Sequence, residues 1–532
     1  MTNQVAANPG PGGVPAALDA RAGRAWMAPL ALGAVALAAI AYFDFAAANL
    51  ALTDDWMYMW DVQHLVRTGM LRLFPDQQPA SLVQVLWSAV ATAGHPDAVP
   101  LRLSLLPFVA MAAYFAHRLG RDLGASRTWA AIAAAAFLVS PYYFYLAASY
   151  HTDIVFAGLL MAAAWCGLRW LSDRRWLGPT AALVALATLE RQWGVGVAVA
   201  LTLVVLRRDR LRPASRDLAA LGFLLAVAAA AALLPFYTGL ATPTMADPTT
   251  LRDTLTLVPV TGTLLRFAPV LGVVCMPFVG AALAWRAPDG TRTGWIALGL
   301  GAFGVAAVGV ALLGAGSLFG KELLSGAGVG LVSSPGAKPQ LFGGLLLVLI
   351  EVLMVAAFLV LLVIRSRVWT VAWRDEGAAL LLMLAGTQLA AAVVRGYIDR
   401  YLVLAVLPLL PVLAAQVSRA PRRRWAEAWA LVALAGWLAA SVVGQQDVLA
   451  WQAARDVAAR QAYALAPPLE VYAGFEPNAV YAEIPYFEAT GTTPPRRTDD
   501  PYSPWALYGP AQPRYVLCFA RRGNPLPGAA EV

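Results

Sequence analysis

Long apolar runs dominate the chain. From residue 27 onward, stretches rich in Ala, Leu, Val, Gly and Phe recur between short polar segments, and the two-residue alternation of half-buried strands does not persist. A run of about 20 such residues is long enough to cross hydrocarbon as a helix. The pattern predicts thirteen spans, near residues 27–47, 101–117, 128–147, 152–171, 177–190, 193–206, 218–236, 266–284, 295–314, 341–364, 378–394, 401–418 and 426–443. The fifth and sixth are the shortest, and their ends are the least sharply marked.

The polar segments between these runs set an orientation. More than half of the 39 Lys and Arg residues fall in alternate short loops, such as Arg118, Arg121 and Arg127, then Arg207, Arg208, Arg210, Arg212 and Arg216, then Arg422 to Arg424. Basic residues in short loops mark the cytoplasmic side of a membrane protein. The N-terminus is therefore expected inside. An odd number of spans places loops 48–100, 237–265 and 315–340 and the tail from 444 outside.

Composition agrees with this class. The chain is 60% hydrophobic and 13% charged, with a mean hydropathy of +0.63; an ordinary soluble domain carries about 25% charged residues. The net charge of +8 does not point to nucleic acid, because its basic residues serve topology. Cys166, Cys275 and Cys518 have no motif spacing, which argues against a disulfide framework. Residues 1–25, rich in Ala, Gly and Pro, read as a disordered cytoplasmic tail, and 26–443 as the membrane domain. Residues 444–532, with many prolines and short mixed runs such as Leu469 to Tyr472 and Arg514 to Phe519, read as a small extracytoplasmic α/β domain.

Candidate chemistry begins where the first span ends. Asp54 and Asp55 stand at that boundary, where a carboxylate avoids the roughly 2.5 to 3.5 kcal/mol penalty of the bilayer centre. On a helix over 54–68, Asp54, Tyr58 and Asp61 share one face. The pair also has a structural reading, as the cap of an interfacial helix. Residues 79–93 are too short to cross and predict a helix lying on the outer surface, with Trp56, Trp60 and Trp87 at the interface. His64, His95 and Asp61 are metal-ligating types without motif spacing; a divalent metal is possible and none is firmly implied. Gly314 to Gly316 and Gly326 to Gly330 lack the strand-to-helix context of a nucleotide loop. Gly474 to Asn478 fits either a turn or an acceptor contact.

Several motifs in order then resemble a known family. They are Asp54-Asp55 with Tyr58 and Gly69; Arg102-Leu103; Leu119 to Gly124; Ser140-Pro141; Tyr150-His151-Thr152-Asp153; Leu189-Glu190-Arg191-Gln192; and Asp399-Arg400-Tyr401-Leu402 with Leu407-Pro408. This order resembles the GT-C fold glycosyltransferases of the family 39-like branch, relatives of protein O-mannosyltransferases and of the aminoarabinose transferase of lipid A. The resemblance implies a polytopic GT-C enzyme of the bacterial inner (plasma) membrane. It would move a sugar from a polyprenyl-phosphate donor to a lipid, glycan or protein acceptor on the outer face, usually with inversion.

Within that resemblance Asp54 takes the role of general base, with Asp55 beside it in the catalytic pair. Substrate-binding candidates are Tyr58, His151, Asp153, Arg191, Gln192, Arg400 and Tyr401. The leaving phosphate needs cations, for which Arg266, Lys321, Lys338 and Arg395 are further candidates. Arg191 and Arg400 also fit a plainer role as snorkelling anchors. The chain departs from its relatives at Gln78-Pro79, where some place a lysine before the proline, and at Met57, where the lipid A branch carries arginine. These departures point to another donor or acceptor. A transporter or flippase of a lipid-linked substrate is the alternative, against which stand the lack of an internal repeat and the clustering of ionisable residues at span ends.

Overall fold

The computed structural model describes residues 26–52, 54–75, 81–240, 257–285, 301–308, 310, 324–325, 328–329, 344–363, 373, 375–395, 399–419, 424–492 and 515–517. Its helices, in chain order, are α1 (Met27–Ala46), α2 (Asp55–Thr68), α3 (Leu82–Ala91), α4 (Ala98–Leu103), α5 (Leu106–Asp122), α6 (Arg127–Val139), α7 (Pro141–Ala147), α8 (Thr152–Ser172), α9 (Leu177–Glu190) and α10 (Val195–Arg208). They continue with α11 (Ser215–Tyr237), α12 (Leu257–Trp285), α13 (Gly344–Val363), α14 (Glu376–Arg395), α15 (Asp399–Val406), α16 (Leu409–Ser418), α17 (Arg424–Leu465), α18 (Phe475–Asn478) and α19 (Ile484–Thr490).

Among the described residues, eight helical stretches are long and apolar enough to cross a membrane, and a ninth is a bent pair. Three of these stretches form the interior: α8, the Arg266 to Leu283 part of α12, and the α15 and α16 stretch from Arg400 to Ser418 are mostly enclosed by other helices. By contrast α1, α11 and the first half of α17 leave most of their apolar surface outward, as helices bathed in lipid do. The expected span at 128–147 is the bent pair. α6 stops at Ser140, α7 leaves at 64°, and the Ser140 hydroxyl accepts from the Tyr143 amide to start the new helix. Pro141 sets this break, because its ring disfavours helical backbone in the residue before it.

The two shortest expected spans are α9 and α10, 14 residues each, about 21 Å long at the α-helical rise. A single 3₁₀ turn, Gln192–Gly194, joins them. Of the expected span at 295–314, the helix at 301–308 is described, and most of the remainder lies outside the described residues.

Charges separate to the two ends of the bundle. At one end Arg169 pairs with Asp122 at 2.8 Å, Arg174 and Arg208 both reach Asp217, and Ser126 meets Ser418. These are the loops that the arginine pattern assigns to one side. The ends carrying the acidic motifs lie at the other, where a layer of short helices covers the bundle.

That layer is held by named contacts. α2 stops at Gly69, whose φ of +71° suits a residue without Cβ and whose amide donates to the Leu65 carbonyl. α3 is fastened to the end of α9: the Gln84 amide donates to Glu190 at 2.9 Å. Helix α17 runs unbroken for 42 residues, about 63 Å at 1.5 Å per residue, and so projects well past the roughly 30 Å hydrocarbon core. Beyond it Val471–Tyr472 pairs in parallel with Tyr515–Val516. These fall within the two runs expected to be strands.

Helix α19 then returns onto α2. Phe487 packs among Trp60 and Phe74, the Trp60 indole donates to Glu488 at 3.1 Å, and Arg67 pairs with Glu488. The Arg67–Glu488 pair is exposed and so weak, whereas Phe487 is buried. Phe487→Ala is therefore expected to cost about 3 to 5 kcal/mol locally and to raise hydrogen exchange across α18 and α19. Unchanged exchange there would show that the ring does not hold this layer.

Candidate active site

Two neighbouring residues on a helix point about 100° apart, so Asp54 and Asp55 cannot serve the same partner. Arg102 decides between them. Its side chain, fully buried, pairs with Asp55 at 2.8 Å and also donates to the carbonyls of Ala48 and Leu50. The Leu52 amide donates to the other Asp55 oxygen at 2.8 Å. Asp55 thus ties the approach of the chain into α2, and burial raises its carboxyl to about 6 in spite of Arg102.

With Asp55 turned inward, Asp54 is directed to Arg400, at 2.7 Å. The Asp54 side chain keeps 18% of its surface exposed, against none for Asp55, so only Asp54 is open to a ligand. Burial works to raise the Asp54 carboxyl. The Arg400 guanidinium, by charge and hydrogen bond, together with His151 and Arg191, outweighs it and holds the group below the usual carboxylate range. His151 itself is pushed down to about 4 by burial, with Arg400 adding to the effect. It is neutral at neutral pH, which leaves the two arginines as the main source of the field on Asp54.

A second ion pair stands alongside. Arg191 pairs with Asp153 at 2.9 Å and donates to the Thr152 hydroxyl from Nε at 3.1 Å and Nη2 at 2.7 Å. The turn between α9 and α10 delivers this arginine, and the first turn of α8 delivers its partners. The guanidinium lies 5.3 Å from the Tyr401 ring centre and 5.9 Å from that of Trp193, and these two rings meet edge to face at 4.7 Å. Tyr58 packs against His151, and burial followed by the Asp54 charge raises its phenol, which therefore stays protonated. Arg191 Nη1 and Asp153 Oδ1 are buried and have no hydrogen-bond partner among the described residues.

The structure thus brings Asp54, Tyr58, His151, Asp153, Arg191, Arg400 and Tyr401 into one cluster. Gln192 opens the adjoining turn. Asp61 departs from the shared face: it accepts from the Phe74 amide at 2.8 Å and serves the fold. Arg266 is half-buried on α12 and is not among the leading charges acting on Asp54. Lys321, Lys338 and the Arg395 side chain lie outside the described residues. His64 stacks on Trp60, and among the described residues no group of His, Cys, Asp or Glu is arranged to hold a metal.

Three contributors carried no assigned role in the sequence: Arg102, Thr152 and Trp193. Arg102 stands out in the sequence as a charged residue opening an apolar run and as part of the Arg102-Leu103 motif, with no role attached.

No protein-family model and no curated protein sequence matches the chain. Among solved structures it is similar to a crystal structure of ArnT from Cupriavidus metallidurans bound to undecaprenyl phosphate, at 14% identity and a TM-score of 0.36, covering 85% of this chain and 82% of that one. It is also similar to a crystal structure of the same protein in the apo state, at 15% identity and a TM-score of 0.31, covering 73% and 76%.

Proposed function

We propose that the chain is a membrane glycosyltransferase that moves a sugar from a polyprenyl-phosphate donor to an acceptor hydroxyl or amine on the outer face, with inversion. The observation that carries this reading is the reachable Asp54 carboxylate, kept ionised by Arg400 beside a second arginine with an unused donor. The order of sequence motifs that supply the cluster supports it as well. On the same reading the arginine-rich end of the bundle faces the cytoplasm, together with the N-terminus.

The chemistry follows from the residues. The acceptor oxygen or nitrogen forms a bond to the anomeric carbon while the bond from that carbon to the phosphate oxygen breaks, and the phosphate leaves with the electron pair. Asp54 takes the acceptor proton, a contribution of about 10² to 10⁴ in rate for a positioned base. Arg400 and Arg191 stabilise the charge that grows on the phosphate, through charge-assisted hydrogen bonds. As Arg400 turns toward that phosphate its hold on Asp54 loosens, which raises the basicity of the carboxylate when the proton must move. Tyr58, protonated and buried, serves as a donor within this cluster.

The test is direct. Mass spectrometry of lipids that copurify with the full chain is expected to find a polyprenyl phosphate or its glycosylated form, and Arg191→Ala is expected to reduce its retention. A purified protein that carries no such lipid, and binds none when it is supplied, would sink the reading.

A further inference from the structure

Arg191 leaves the end of α9 in an extended conformation, with φ −145° and ψ 132°. The residue is no longer helical, so the direction of its side chain depends on what holds the turn around it. The Ser81 amide donates to the Leu189 carbonyl at 3.3 Å, the Gln84 amide to Glu190 Oε2 at 2.9 Å and the Gln388 side-chain amide to the Trp193 carbonyl at 3.1 Å. Gly194 then folds back on α9: a Cβ there would lie 2.4 Å from the Thr188 nitrogen, so only glycine fits. Among these contacts, Glu190 brings a side chain from the residue next to Arg191. We propose that Glu190 is a positioning residue: by seating the first turn of α3, it fixes where Arg191 presents its guanidinium to the donor phosphate, an inference that rests on the glycosyl-transfer reading above.

Two unfavourable features meet at this junction. Glu190 is fully buried, and its Oε1 has no hydrogen-bond partner among the described residues; a buried acceptor without a donor is destabilising. Ser81, also fully buried, has a φ of +108°, which a residue with a Cβ avoids. A plain helix start needs neither, because serine or aspartate in extended backbone caps a helix without strain. Strained groups persist where the surrounding structure holds a functional geometry. The functional group nearest in the chain is the residue that follows Glu190.

The other end of α3 leads to the second arm of the site. Ser88 meets Ser104 at 2.8 Å, and the Trp87 indole donates to the Ser104 carbonyl at 2.7 Å. Two residues before Ser104 stands Arg102, which holds Asp55 beside Asp54. A helix of 10 residues, about 15 Å long at the α-helical rise, thus joins the turn that carries the cation to the segment that carries the base. A rigid link between them matters, because a misplacement of about 1 Å can lower the rate about 10²-fold.

The test measures binding of nonaprenyl phosphate to the full chain in nanodiscs, with nonaprenol as the neutral control. Glu190→Ala is expected to weaken nonaprenyl phosphate by about 10-fold or more and to leave nonaprenol unchanged. Glu190→Gln still offers an oxygen to the Gln84 amide and should stay within about twofold of the native protein. The sign separates position from charge. Removing an acid near an anion site would by charge alone tighten binding, so a loss reports a displaced arginine. In an Arg191→Ala background, Glu190→Ala should add less than about twofold, since two changes that act through one group are not additive. Glu190→Asp, one methylene shorter, should weaken binding in the same direction and serves if Glu190→Ala does not fold; native affinity in it would then overturn the proposal. So would equal binding by Glu190→Ala, an equal loss for nonaprenol, or the same loss with and without Arg191. A native protein that does not distinguish nonaprenyl phosphate from nonaprenol overturns the phosphate-binding reading and this inference with it. A native preference for the phosphate that survives Glu190→Ala overturns the positioning role alone.

Discussion

Asp54→Asn is expected to lower sugar transfer by about 10² to 10⁴-fold, the usual contribution of a positioned general base, while the protein folds and retains donor lipid. Asparagine keeps the shape and still offers an oxygen to Arg400, but it accepts no proton at neutral pH. The pair with Arg400 is mostly buried, so the neutral amide leaves that guanidinium without its counter-charge and some loss of stability accompanies the loss of activity. The measurement is transfer from the copurified polyprenyl-phosphate sugar, beside a melting curve and the retained lipid. Loss of activity well beyond what the drop in melting temperature accounts for, with normal lipid content, is the expected pattern. Full activity would remove Asp54 from the base role. Arg400→Ala should resemble it in rate but differ in lipid content, because that arginine is proposed to hold the phosphate as well as the carboxylate.

The largest stability effect belongs to Arg102. Arg102→Met leaves Asp55 and two backbone carbonyls without their buried donor. Breaking one side of a buried pair costs about 3 to 5 kcal/mol, because the other charge stays buried and uncompensated. Adding Asp55→Asn to Arg102→Met is expected to recover part of the loss, since an amide is cheaper to bury than a carboxylate. The pH dependence has a definite sign. Asp55 has a folded value of about 6 against an ordinary 3.8, so between those values the folded protein holds the extra proton. Its contribution to stability is fully present below about 4 and is lost as pH rises through about 6. Relative to Asp55→Asn, the native protein should therefore gain melting temperature as pH falls from 7.5 to 5. In Arg102→Met the arginine no longer opposes the effect of burial, so the deficit should shrink on the same acidification. A deficit that does not change with pH would show that the lost carbonyl contacts dominate.

Much of the fold was legible because membrane helices announce themselves locally. The stop at Gly69 and the short helix over 82–91 each follow from residues within a few positions, whereas the span expected over 128–147 is broken at Ser140-Pro141. The candidates Asp54, His151, Asp153, Arg191 and Arg400 were legible locally as well, since ionisable side chains are tolerated only near the ends of apolar runs. The angle at Ser140 was not legible, because a proline marks a break and the packing around it sets the direction. Nor was the fate of Asp61, which shares the spacing of Asp54 and Tyr58 but turns to a backbone amide thirteen residues away.

That this chain is a bundle of apolar helices, with its arginines gathered toward one side and its acidic motifs toward the other, follows from its residues alone. That is a question of each segment against its solvent, and hydrocarbon answers it residue by residue. Which acid of the pair keeps an exposed edge, and which arginine each one meets, is set by long-range packing. Asp55 is claimed by an arginine 47 residues away and Asp54 by one 346 residues away. Such choices depend on which buried charges the packing places within 3 Å, and no local pattern carries that information.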